Sequence, residues 1–383
     1  MNRRTVRALH VYRTYFPDPP GGLQEAIRQI ALACSSYGVE STIFTLSPQP
    51  QPAEIRRQEG GVIRCKSYAA PASCDLGGPE SIAKFRELSA QADVVHFHFP
   101  WPFGDVLHLF GHRNKPTVMT YHSDIVRQRA LGYVYGPLMR RTLRSMSAVV
   151  ATSPAYARTS EVLSGIVPPQ RLHVVPLGIA DYAGAAAGAS TDILTRLSLD
   201  RRPLFLSLGV LRYYKGLHTL IEAVPGIDAD FVIAGSGPEM ERLRDLAVRH
   251  KADNVVFAGQ VSDEEKNALL GACRALVLPS QLRSEAFGMV LVEASMFGKP
   301  LISCEINSGT SYVNEHGLTG FVVPPDAPRE LAFAIRELLT DEPRAQNMGR
   351  EARARYERLF SGPALGEAYS RIYEQVVSGE ARS

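Results

Sequence analysis

Two kinds of apolar pattern alternate along the chain. Short continuous apolar runs, typical of strands buried on both faces, are followed by longer segments whose apolar residues recur every three or four positions, as on an amphipathic helix. The first pair is a run from Val6 to Phe16 and a helical pattern from Leu23 to Ser36, joined by the turn 17–22. Repeated strand–helix units of this kind predict a parallel sheet with helices on both faces.

The same alternation predicts further strands on both sides of a stretch of small residues at 181–190. We interpret this stretch as a linker between two doubly wound α/β domains, residues 1–182 and 183–362. A terminal helix over 363–383 is expected to pack back on the first domain. The predicted strands are 6–16, 41–46, 61–66, 92–99, 116–121, 148–152 and 172–176 in the first domain, and 204–208, 230–234, 255–258, 275–278, 300–303 and 320–323 in the second.

The composition fits an ordinary globular protein. The chain has 383 residues, of which 45% are hydrophobic, enough for two domains with apolar cores. Its five cysteines form no Cys-x-x-Cys pair, which argues against a disulfide framework or a zinc ribbon and favours a reducing compartment. No apolar run is long enough to span a bilayer, and no signal-peptide core follows the charged N-terminus. We therefore expect a cytoplasmic protein.

The net charge of +3 is unevenly distributed. Residues 1–182 hold 20 Lys/Arg and 13 Asp/Glu, a charge of +7, and the remainder holds 22 and 26, a charge of −4. The basic half favours an anionic partner such as phosphate or lipid head groups. The alternative is scattered, solvated surface charge.

The stretch from Ser284 to Ala294 carries the most informative motif. Glu285 and Glu293 lie eight residues apart, with Phe287-Gly288 between them. The pattern predicts a loop that ends at a helix N-terminus near Gly288, with Glu293 about one and a half turns into the helix. Free backbone N–H groups at such a terminus attract phosphate, and glycine lets a ligand approach closely. The alternative is a solvated helix with two surface acids.

A second motif lies between the strand 204–208 and the helix that follows it. Arg212 and Lys215 stand in the loop from Gly209 to Gly216, at the carboxyl end of a predicted parallel strand. Two cations at this position suit a diphosphate, because one supplies a forked donor and the other a compact charge. The alternative is a pair of exposed surface cations.

Histidines mark the predicted sheet of the first domain. His122 follows the strand 116–121, at the sheet edge where parallel α/β folds bind ligands. His96 and His98 share one face of their strand, but no third residue has persuasive metal-ligand spacing. His98 is expected either to face a ligand or to be a satisfied core histidine. The turn at Gly21-Gly22 either directs amides at a phosphate or is a plain tight turn.

Several enzyme classes are disfavoured by missing motifs. The chain has no His-Glu-x-x-His, no Walker loop, no complete Gly-x-Gly-x-x-Gly and no Gly-x-Ser-x-Gly. Metalloproteases, P-loop NTPases, dehydrogenases and α/β-hydrolases are therefore poor candidates. The only Asp-x-Asp, Asp228-Ala229-Asp230, precedes a strand and so lies at the wrong edge of the sheet for a metal site.

Taken together, the motifs resemble those of the family 4 retaining glycosyltransferases (glycosyl transferases group 1). The resemblance runs from about residue 6 to residue 340. It rests on the Glu-x7-Glu stretch, on the Gly-x-Leu-x-x-x-Lys-Gly pattern of 209–216, and on the segments 235–239, 259–261 and 317–325. Many members have arginine directly after the first glycine of that pattern, where this chain has Val210. Within this family, the sequence most resembles bacterial polysaccharide mannosyl- and rhamnosyltransferases.

The resemblance implies the GT-B fold, two facing Rossmann-like domains with a cleft between them, and a role for each matching residue. Glu285 would orient the donor sugar, Glu293 would bind the ribose, and His122 would contact the sugar from the first domain. Lys215 and Arg212 would stabilise the leaving diphosphate. The implied catalytic residues are His122, Glu285, Lys215 and Arg212; the donor-binding residues are Gly22, Gly235, Val261, Phe287, Gly288, Met289, Val290 and Glu293; and the acceptor-side residues are Gly21, His98 and Asp124.

The implied reaction transfers a mannose- or rhamnose-type hexose, with retention of configuration, to a lipid-diphosphate-linked glycan in O-antigen-type synthesis. The co-substrate is a nucleotide sugar, GDP-linked rather than UDP-linked, with no metal or other cofactor required. The open alternatives are a UDP-hexose transferase of the same fold, a GT-B nucleotide-sugar epimerase, and a binding-only scaffold. The scaffold is disfavoured because it need not keep all four charged residues. No nucleic-acid partner is expected.

A basic segment predicts a further partner. Residues 126–146 read as a helix with a break near Gly136-Pro137, and between 127 and 144 they contain five arginines and no acid. Cations mixed with aromatic and aliphatic residues suit a helix lying on an anionic membrane surface. We therefore expect a peripheral protein on the cytoplasmic face of the inner membrane, unless the apolar residues face the core. The residues concerned are Arg127, Arg129, Arg140, Arg141 and Arg144, with Leu131, Tyr133, Tyr135, Leu138 and Met139 among them.

Overall fold

The computed structural model describes residues 5–18, 21–71, 74–111, 114–124, 129–186, 192–199 and 201–379, with backbone only at 129–134 and 185–186. The described chain forms two compact units. The first consists of Met1–Ala180 with Gly362–Ser383, and the second of Asp181–Ser361. These boundaries lie within two residues of those drawn from the sequence.

The first unit alternates strands and helices, as the apolar pattern indicates. Its elements are β1 (Val6–Val11), α1 (Gly22–Ser35), β2 (Val39–Ser47), β3 (Glu54–Arg57), β4 (Gly60–Ala69), β5 (Leu76–Gly77), α2 (Pro79–Gln91), β6 (Val94–Phe99), α3 (Pro102–Phe110), β7 (Thr117–Tyr121), α4 (Arg129–Ser145), β8 (Ala148–Ala151), α5 (Pro154–Thr159), α6 (Glu161–Ile166) and β9 (Leu172–Val174).

The sheet of the first unit has the order β3-β4-β2-β1-β6-β7-β8-β9, with β5 paired to β4. The strands from β4 across to β9 run parallel, and only β3 and β5 are antiparallel to β4. Strand order reverses between β1 and β6, so the loops after these two strands diverge to opposite faces. Such a switch point is where open α/β sheets bind ligands.

One face of this sheet changes character along its strands. Near the amino ends it is apolar, with Ala8, Val94 and Val118 in a core that includes residues of α1 and of the terminal helix α16 (Gly362–Ser378). Because side chains alternate along a strand, the next positions on the same face are His10 and His96. The carboxyl half of this face is therefore lined by polar rings instead of aliphatic groups.

The second unit repeats the strand–helix alternation. Its elements are α7 (Ala183–Ala186), α8 (Ile193–Arg196), β10 (Leu204–Leu208), α9 (Leu217–Ala223), β11 (Asp230–Ala234), α10 (Met240–His250), β12 (Val255–Gly259), α11 (Asp263–Ala272), β13 (Ala275–Leu278), α12 (Met289–Met296), β14 (Leu301–Cys304), α13 (Thr310–Val313), β15 (Gly320–Val323), α14 (Pro328–Thr340) and α15 (Glu342–Leu359), with a 3₁₀ turn at Tyr213–Lys215.

The second sheet is parallel throughout, in the order β12-β11-β10-β13-β14-β15. This is the doubly wound Rossmann order, and its switch point lies between β10 and β13. The loops that leave these two strands are the ones that carry Lys215 and Glu285. The two main sequence motifs are therefore brought to one edge by topology.

Several predicted elements need correction. The first strand ends at Val11 and not at Phe16, although the amide of Tyr12 still donates to the carbonyl of Phe44 at 3.2 Å. The short antiparallel strands β3 and β5 were not predicted, because they are too exposed to show an apolar run. The expected break at Gly136-Pro137 is absent: α4 continues through Pro137, and the hydroxyl of Tyr135 in the preceding turn donates to Asp105 of α3.

Within the described residues, no helix combines the length and the apolar content needed to cross a lipid bilayer. Two of the arginines in the predicted basic segment, Arg127 and Arg129, have side chains outside the described part of the chain, as do Leu131 and Tyr133.

Gly320→Ala should destabilise the protein by about 2–4 kcal/mol. Gly320 begins β15 with a φ of +159°, and a Cβ there would overlap the carbonyl oxygen of Leu301 on β14. The strands would have to separate at a ladder contact. Urea unfolding followed by circular dichroism measures the effect. Gly271→Ala is the matched control, because that glycine lies in α11 with open space around it and should change stability by no more than about 1 kcal/mol. Equal stability of both variants would contradict the packing described for β14 and β15.

Candidate functional site

Lys215 and Glu285 form an ion pair at the carboxyl edge of the second sheet. Their side chains are only 14% and 12% exposed, so the pair is largely shielded from solvent. The hydroxyl of Ser280 also donates to the Glu285 carboxylate, at 3.4 Å. The structure thus brings together two residues that the sequence motifs selected separately, 70 positions apart.

Glycines allow the loops beneath this pair to approach one another. Gly216 has a left-handed backbone with a φ of +64°, and a Cβ there would overlap the carbonyl oxygen of Pro279. Gly235, after β11, has a φ of +136° and would similarly overlap the carbonyl of Gly209. Gly209 itself has a φ of +126°, with Lys215 Nζ 3.7 Å from its ideal Cβ position. Larger residues would separate these loops.

The loop carrying Glu285 ends at a helix N-terminus, as predicted. Gly288 is the N-cap of α12, with a left-handed φ of +80°. The amides of Met289 and Val290 open the helix, where the first N–H groups have no intrahelical acceptor. Phe287 is buried against Phe360, with ring centroids 6.1 Å apart, and anchors the loop. The helix therefore presents free donors beside the loop that holds Glu285.

Glu293 lies on the second turn of α12, and two residues of other elements hold its carboxylate. Lys266 of α11 donates to Oε1 at 2.9 Å, and the hydroxyl of Tyr182 donates to the same oxygen at 3.1 Å. Burial disfavours the charged form of Lys266, but the carboxylates of Glu293 and Asp263 together outweigh burial and raise the pKa of the ammonium. Sequence reasoning missed Lys266 and Tyr182, since neither belongs to a recognisable motif.

The two loops predicted to lie near the nucleobase are joined to each other. The amide of Gly235 donates to the carbonyl of Gly259 at 2.7 Å, and Ser236 Oγ donates to Gln260 at 2.9 Å. Val261 follows in the half-buried position before the capped N-terminus of α11. These loops leave β11 and β12, so they extend the same carboxyl edge away from Lys215.

Arg212 is exposed at the start of the 3₁₀ turn that contains Lys215. No carboxylate in the described part of the chain pairs with its guanidinium, and its carbonyl accepts from the Lys215 amide at 3.0 Å. Val210 is 53% exposed beside it. The unpaired cation is thus on the same loop as the paired one.

In the first unit, three histidines form a hydrogen-bonded row. Nδ1 of His10 lies 3.1 Å from Nε2 of His98, and Nδ1 of His98 lies 3.1 Å from Nε2 of His122. All three rings are buried. Burial lowers the pKa of His10 to about 4 and that of His122 to about 3, and it also lowers the pKa of His98. The three imidazoles are therefore neutral near pH 7.

Of the two alternatives left open for His98, the row matches the satisfied core histidine, and its acceptor-side role stays a prediction. Both of its ring nitrogens contact other histidines, and it is only 2% exposed, so it lies behind His122. No third residue has persuasive ligand spacing in the sequence, whereas the structure brings His10 beside His96 and His98. Nitrogens of His10, His96 and His98 lie within 4.8 Å of one another, a spacing that a metal could use. His96, however, already contacts the hydroxyls of Tyr373 and Thr120 at 2.7 Å through its two nitrogens.

The other first-unit predictions lie on loops at the carboxyl edge. Gly21 caps α1 and Gly22 begins it, both exposed. Asp124 follows His122, and its Oδ1 accepts from Tyr121 at 2.9 Å and from Ser160 at 2.7 Å. Asp124 therefore fixes the loop after β7. In the second unit, Asp230 opens β11 at the opposite, amino edge and pairs with Arg202.

Two family models match the chain. The model for Glycosyl transferases group 1 matches residues 194–355, and the model for the Glycosyl transferase 4-like domain matches residues 21–178. These ranges lie in the second and first units respectively.

Relatives over nearly the full length agree with these matches. The chain is 44% identical to a D-rhamnosyltransferase, WbpZ, of Pseudomonas aeruginosa, with 93% of this chain and 92% of the relative covered. It is 36% identical to the O-antigen chain mannosyltransferase C of Escherichia coli, with 98% and 100% covered. Among solved structures, Anabaena Alr3699/HepE in complex with UDP superposes with a TM-score of 0.77 at 18% identity, covering 97% of this chain and 100% of that one.

The sheet order of both units, the motif residues collected at the second switch point and the extent of these matches lead to one assignment. The chain belongs to the glycosyl transferases group 1 family and is a family 4 glycosyltransferase with the GT-B fold of two Rossmann-like domains.

Proposed function

We propose that this enzyme is a retaining hexosyltransferase that moves a mannose- or rhamnose-type sugar from a GDP-sugar to a lipid-diphosphate-linked glycan of the O-antigen type. The observation that carries the proposal is the convergence of Lys215 and Glu285 at the switch point of the second sheet. The names of the D-rhamnosyltransferase and mannosyltransferase relatives support the sugar class and the O-antigen setting.

The diphosphate of the donor would occupy the cationic part of this edge. Lys215 supplies a positioned charge, Arg212 a second and unpaired one, and α12 supplies free amides. Donors that are already in place stabilise the charge that develops on a departing phosphate without further reorganisation. Two cations and a helix terminus can perform this task without a divalent metal, and we propose that none is needed.

The carboxylates of Glu285 and Glu293 would bind the sugar and the ribose of the donor. Glu285 accepts hydrogen bonds from the sugar hydroxyls, and Glu293, held by Lys266 and Tyr182, accepts from the ribose hydroxyls. The joined loops at Gly235 and Val261 receive the base. His122 contributes the contact of the first unit with the sugar, as the family resemblance implies.

The proposed chemistry has no covalent enzyme intermediate. Departure of the diphosphate leaves the sugar with oxocarbenium character. The acceptor hydroxyl attacks the same face, and the departing phosphate oxygen takes its proton, so the configuration at the anomeric carbon is retained. The site then acts chiefly through positioning and electrostatic stabilisation.

The nucleotide preference tests the proposal directly. A ligand that binds only the native state raises the melting temperature by mass action. We expect GDP to raise it more than UDP, ADP or TDP, in buffer containing EDTA. A larger shift with UDP would favour the UDP-hexose alternative, and a shift only after addition of magnesium or manganese would contradict the metal-free site. Release of a new free nucleotide sugar without any acceptor would indicate an epimerase.

Lys215→Ala should weaken binding of GDP by about one to two orders of magnitude, since a lost charge-assisted hydrogen bond is worth about 1.5–3 kcal/mol. Isothermal titration calorimetry measures the change. Lys299→Ala is the matched control: within the described residues that lysine donates to the carbonyl of Gly271, and its loss should leave affinity unaltered. Unchanged affinity in the Lys215 variant would remove this residue from the diphosphate site.

Glu285→Gln should mainly affect turnover, and Glu293→Gln should mainly affect the binding of GDP. The first should lower kcat by about 100-fold, as loss of a transition-state contact does, while the Kd for GDP stays within about threefold of wild type. The second variant should raise the Kd for GDP by about tenfold, because the ribose contact is lost, and should have a smaller effect on kcat. Calorimetry together with steady-state kinetics separates the two. An equal loss of GDP affinity in both variants would refute the proposed division of roles.

We also propose that the first unit docks on anionic membrane surfaces. Arg140, Arg141 and Arg144 are exposed on α4, and Arg141 lines a common depression with Leu109, which is 38% exposed. Phe110, 48% exposed, ends the neighbouring helix α3. Tyr135 is not part of this surface, because its hydroxyl faces Asp105. Cations beside exposed apolar groups suit the lipid interface.

Flotation with liposomes tests this docking. Binding should require anionic lipid, weaken with added salt, and fall about 100-fold when Arg140, Arg141 and Arg144 are changed to Ser, at roughly 1 kcal/mol for each arginine. Changing Arg242, Arg244 and Arg249 of α10 to Ser removes the same charge from exposed positions of the second unit and should leave binding intact. Equal flotation with neutral vesicles would rule out the electrostatic surface.

A further inference from the structure

The row of histidines in the first unit has a property that follows from hydrogen counting. Each neutral imidazole carries one ring hydrogen, on either Nδ1 or Nε2. Each contact between two rings in the row needs one donor and one acceptor, because two bare nitrogens or two N–H groups facing each other repel. The rings of His10, His98 and His122 meet through successive Nδ1···Nε2 contacts.

Only two hydrogen arrangements satisfy both contacts. If His98 carries its hydrogen on Nδ1, it donates to His122 and accepts from His10, so all three rings carry Nδ1–H. If His98 carries its hydrogen on Nε2, it donates to His10 and accepts from His122, so all three carry Nε2–H. At the far end Ser41 Oγ lies 3.4 Å from Nε2 of His10, and a hydroxyl can serve either arrangement as donor or acceptor.

The row ends at Nδ1 of His122, the residue that follows β7 at the carboxyl edge of the sheet. No described residue forms a hydrogen bond with this nitrogen. In one arrangement it presents an N–H to its surroundings, and in the other a lone pair. The partner of one ring nitrogen decides what the other nitrogen offers.

We propose that His10 and His98 are positioning residues that set the tautomer of His122, and so decide whether its Nδ1 donates to or accepts from a sugar hydroxyl. The catalytic part of this inference rests on the proposed function of His122. The coupling among the three rings does not, since it follows from their contacts. His10 reaches His122 only through His98, because no direct ring contact joins them within the described chain.

A metal held by the same histidines is the competing explanation, and the contacts oppose it. A metal-bound nitrogen cannot also share a hydrogen with its neighbour. A site built from His10, His96 and His98 would occupy one nitrogen of His98, so at least one of the two contacts of His98 in the row would be lost. His96 would have to give up Tyr373 or Thr120, each 2.7 Å away. No carboxylate or thiol in the described residues joins the group, so a buried divalent charge would lack compensation.

Nitrogen NMR of the full chain labelled with ¹⁵N-histidine tests the coupling without any substrate. Long-range ¹H–¹⁵N spectra distinguish the two neutral tautomers of each ring. At pH 7 His10, His98 and His122 should report the same tautomer population. Different populations, for example Nδ1–H at His98 with Nε2–H at His122, would overturn the proposal. Stoichiometric zinc in the purified protein, bound at these nitrogens, would overturn it as well.

Substitutions at the far end of the row provide the second test. His10→Phe keeps the ring volume but removes the partner of His98, so the tautomer populations of His98 and His122 should shift together. His10→Asn restores a group that can donate or accept and should return kcat toward wild type. His96→Phe is the matched control: the His96 ring is equally buried and its centroid lies 4.2 Å from that of His98, but neither of its nitrogens forms a hydrogen bond with the three rings of the row. It should leave the His122 tautomer unchanged.

Kinetics then separate positioning from folding. His10→Phe should lower kcat about tenfold, the usual scale for a partner that orients a functional histidine, with GDP affinity unaltered because the nucleotide binds the second unit. Unchanged tautomers in His10→Phe would overturn the proposal whatever the kinetics. If the wild-type protein transfers no sugar, the proposed function fails, while the NMR result still decides whether the three rings are coupled.

Discussion

The candidate site depends on the pairing of two adjacent strands, β10 and β13, in a parallel sheet. Lys215 and Glu285 are 70 residues apart, and they meet because the chain reverses its winding between these strands. Both side chains leave from carboxyl ends, so both reach the same edge. Gly216 then lets its loop lie directly against Pro279, at the start of the loop that carries Glu285. Topology thus determines where the two loops meet, and Gly216 permits their close contact.

An ion pair this well shielded contributes little net stability, because desolvation of the two charges offsets much of their attraction. The role of the Lys215–Glu285 pair is better explained as preorganisation of the site. Glu285 keeps the Lys215 ammonium at the sheet edge, where the proposed function requires a cation for the diphosphate of the donor. Glu293 is held in the same way by Lys266 and Tyr182. Each acidic residue of the motif is therefore placed by a partner from a different element, as precise ligand positioning requires.

The sequence predicted what local pattern determines and missed what only tertiary contact determines. Lys215, Glu285 and the helix start at Gly288 were found because strand ends and glycines are visible in the pattern. Lys266 and Tyr182 were missed because nothing near them in sequence points to Glu293. The break expected at Pro137 did not occur: α4 continues through the proline, and the hydrogen bond from Tyr135 to Asp105 ties it to α3, a tertiary contact that the local pattern does not show. The exposed strand β3 has no apolar run to reveal it.

The histidine row also shows that a local sequence pattern does not reveal contacts between strands. Alternation along a strand identified His96 and His98 as neighbours on one face, but the partner His10 lies on a different strand, and only the register of β1 against β6 brings it opposite. That face is aliphatic where α1 and α16 cover it and becomes polar toward the carboxyl edge. A buried polar ring must find a partner, since an unpaired one costs about 1–3 kcal/mol. Once His122 is placed at the edge, the rings behind it have to satisfy one another in sequence. A chain of neutral rings with one hydrogen each can do so only by adopting a common tautomer.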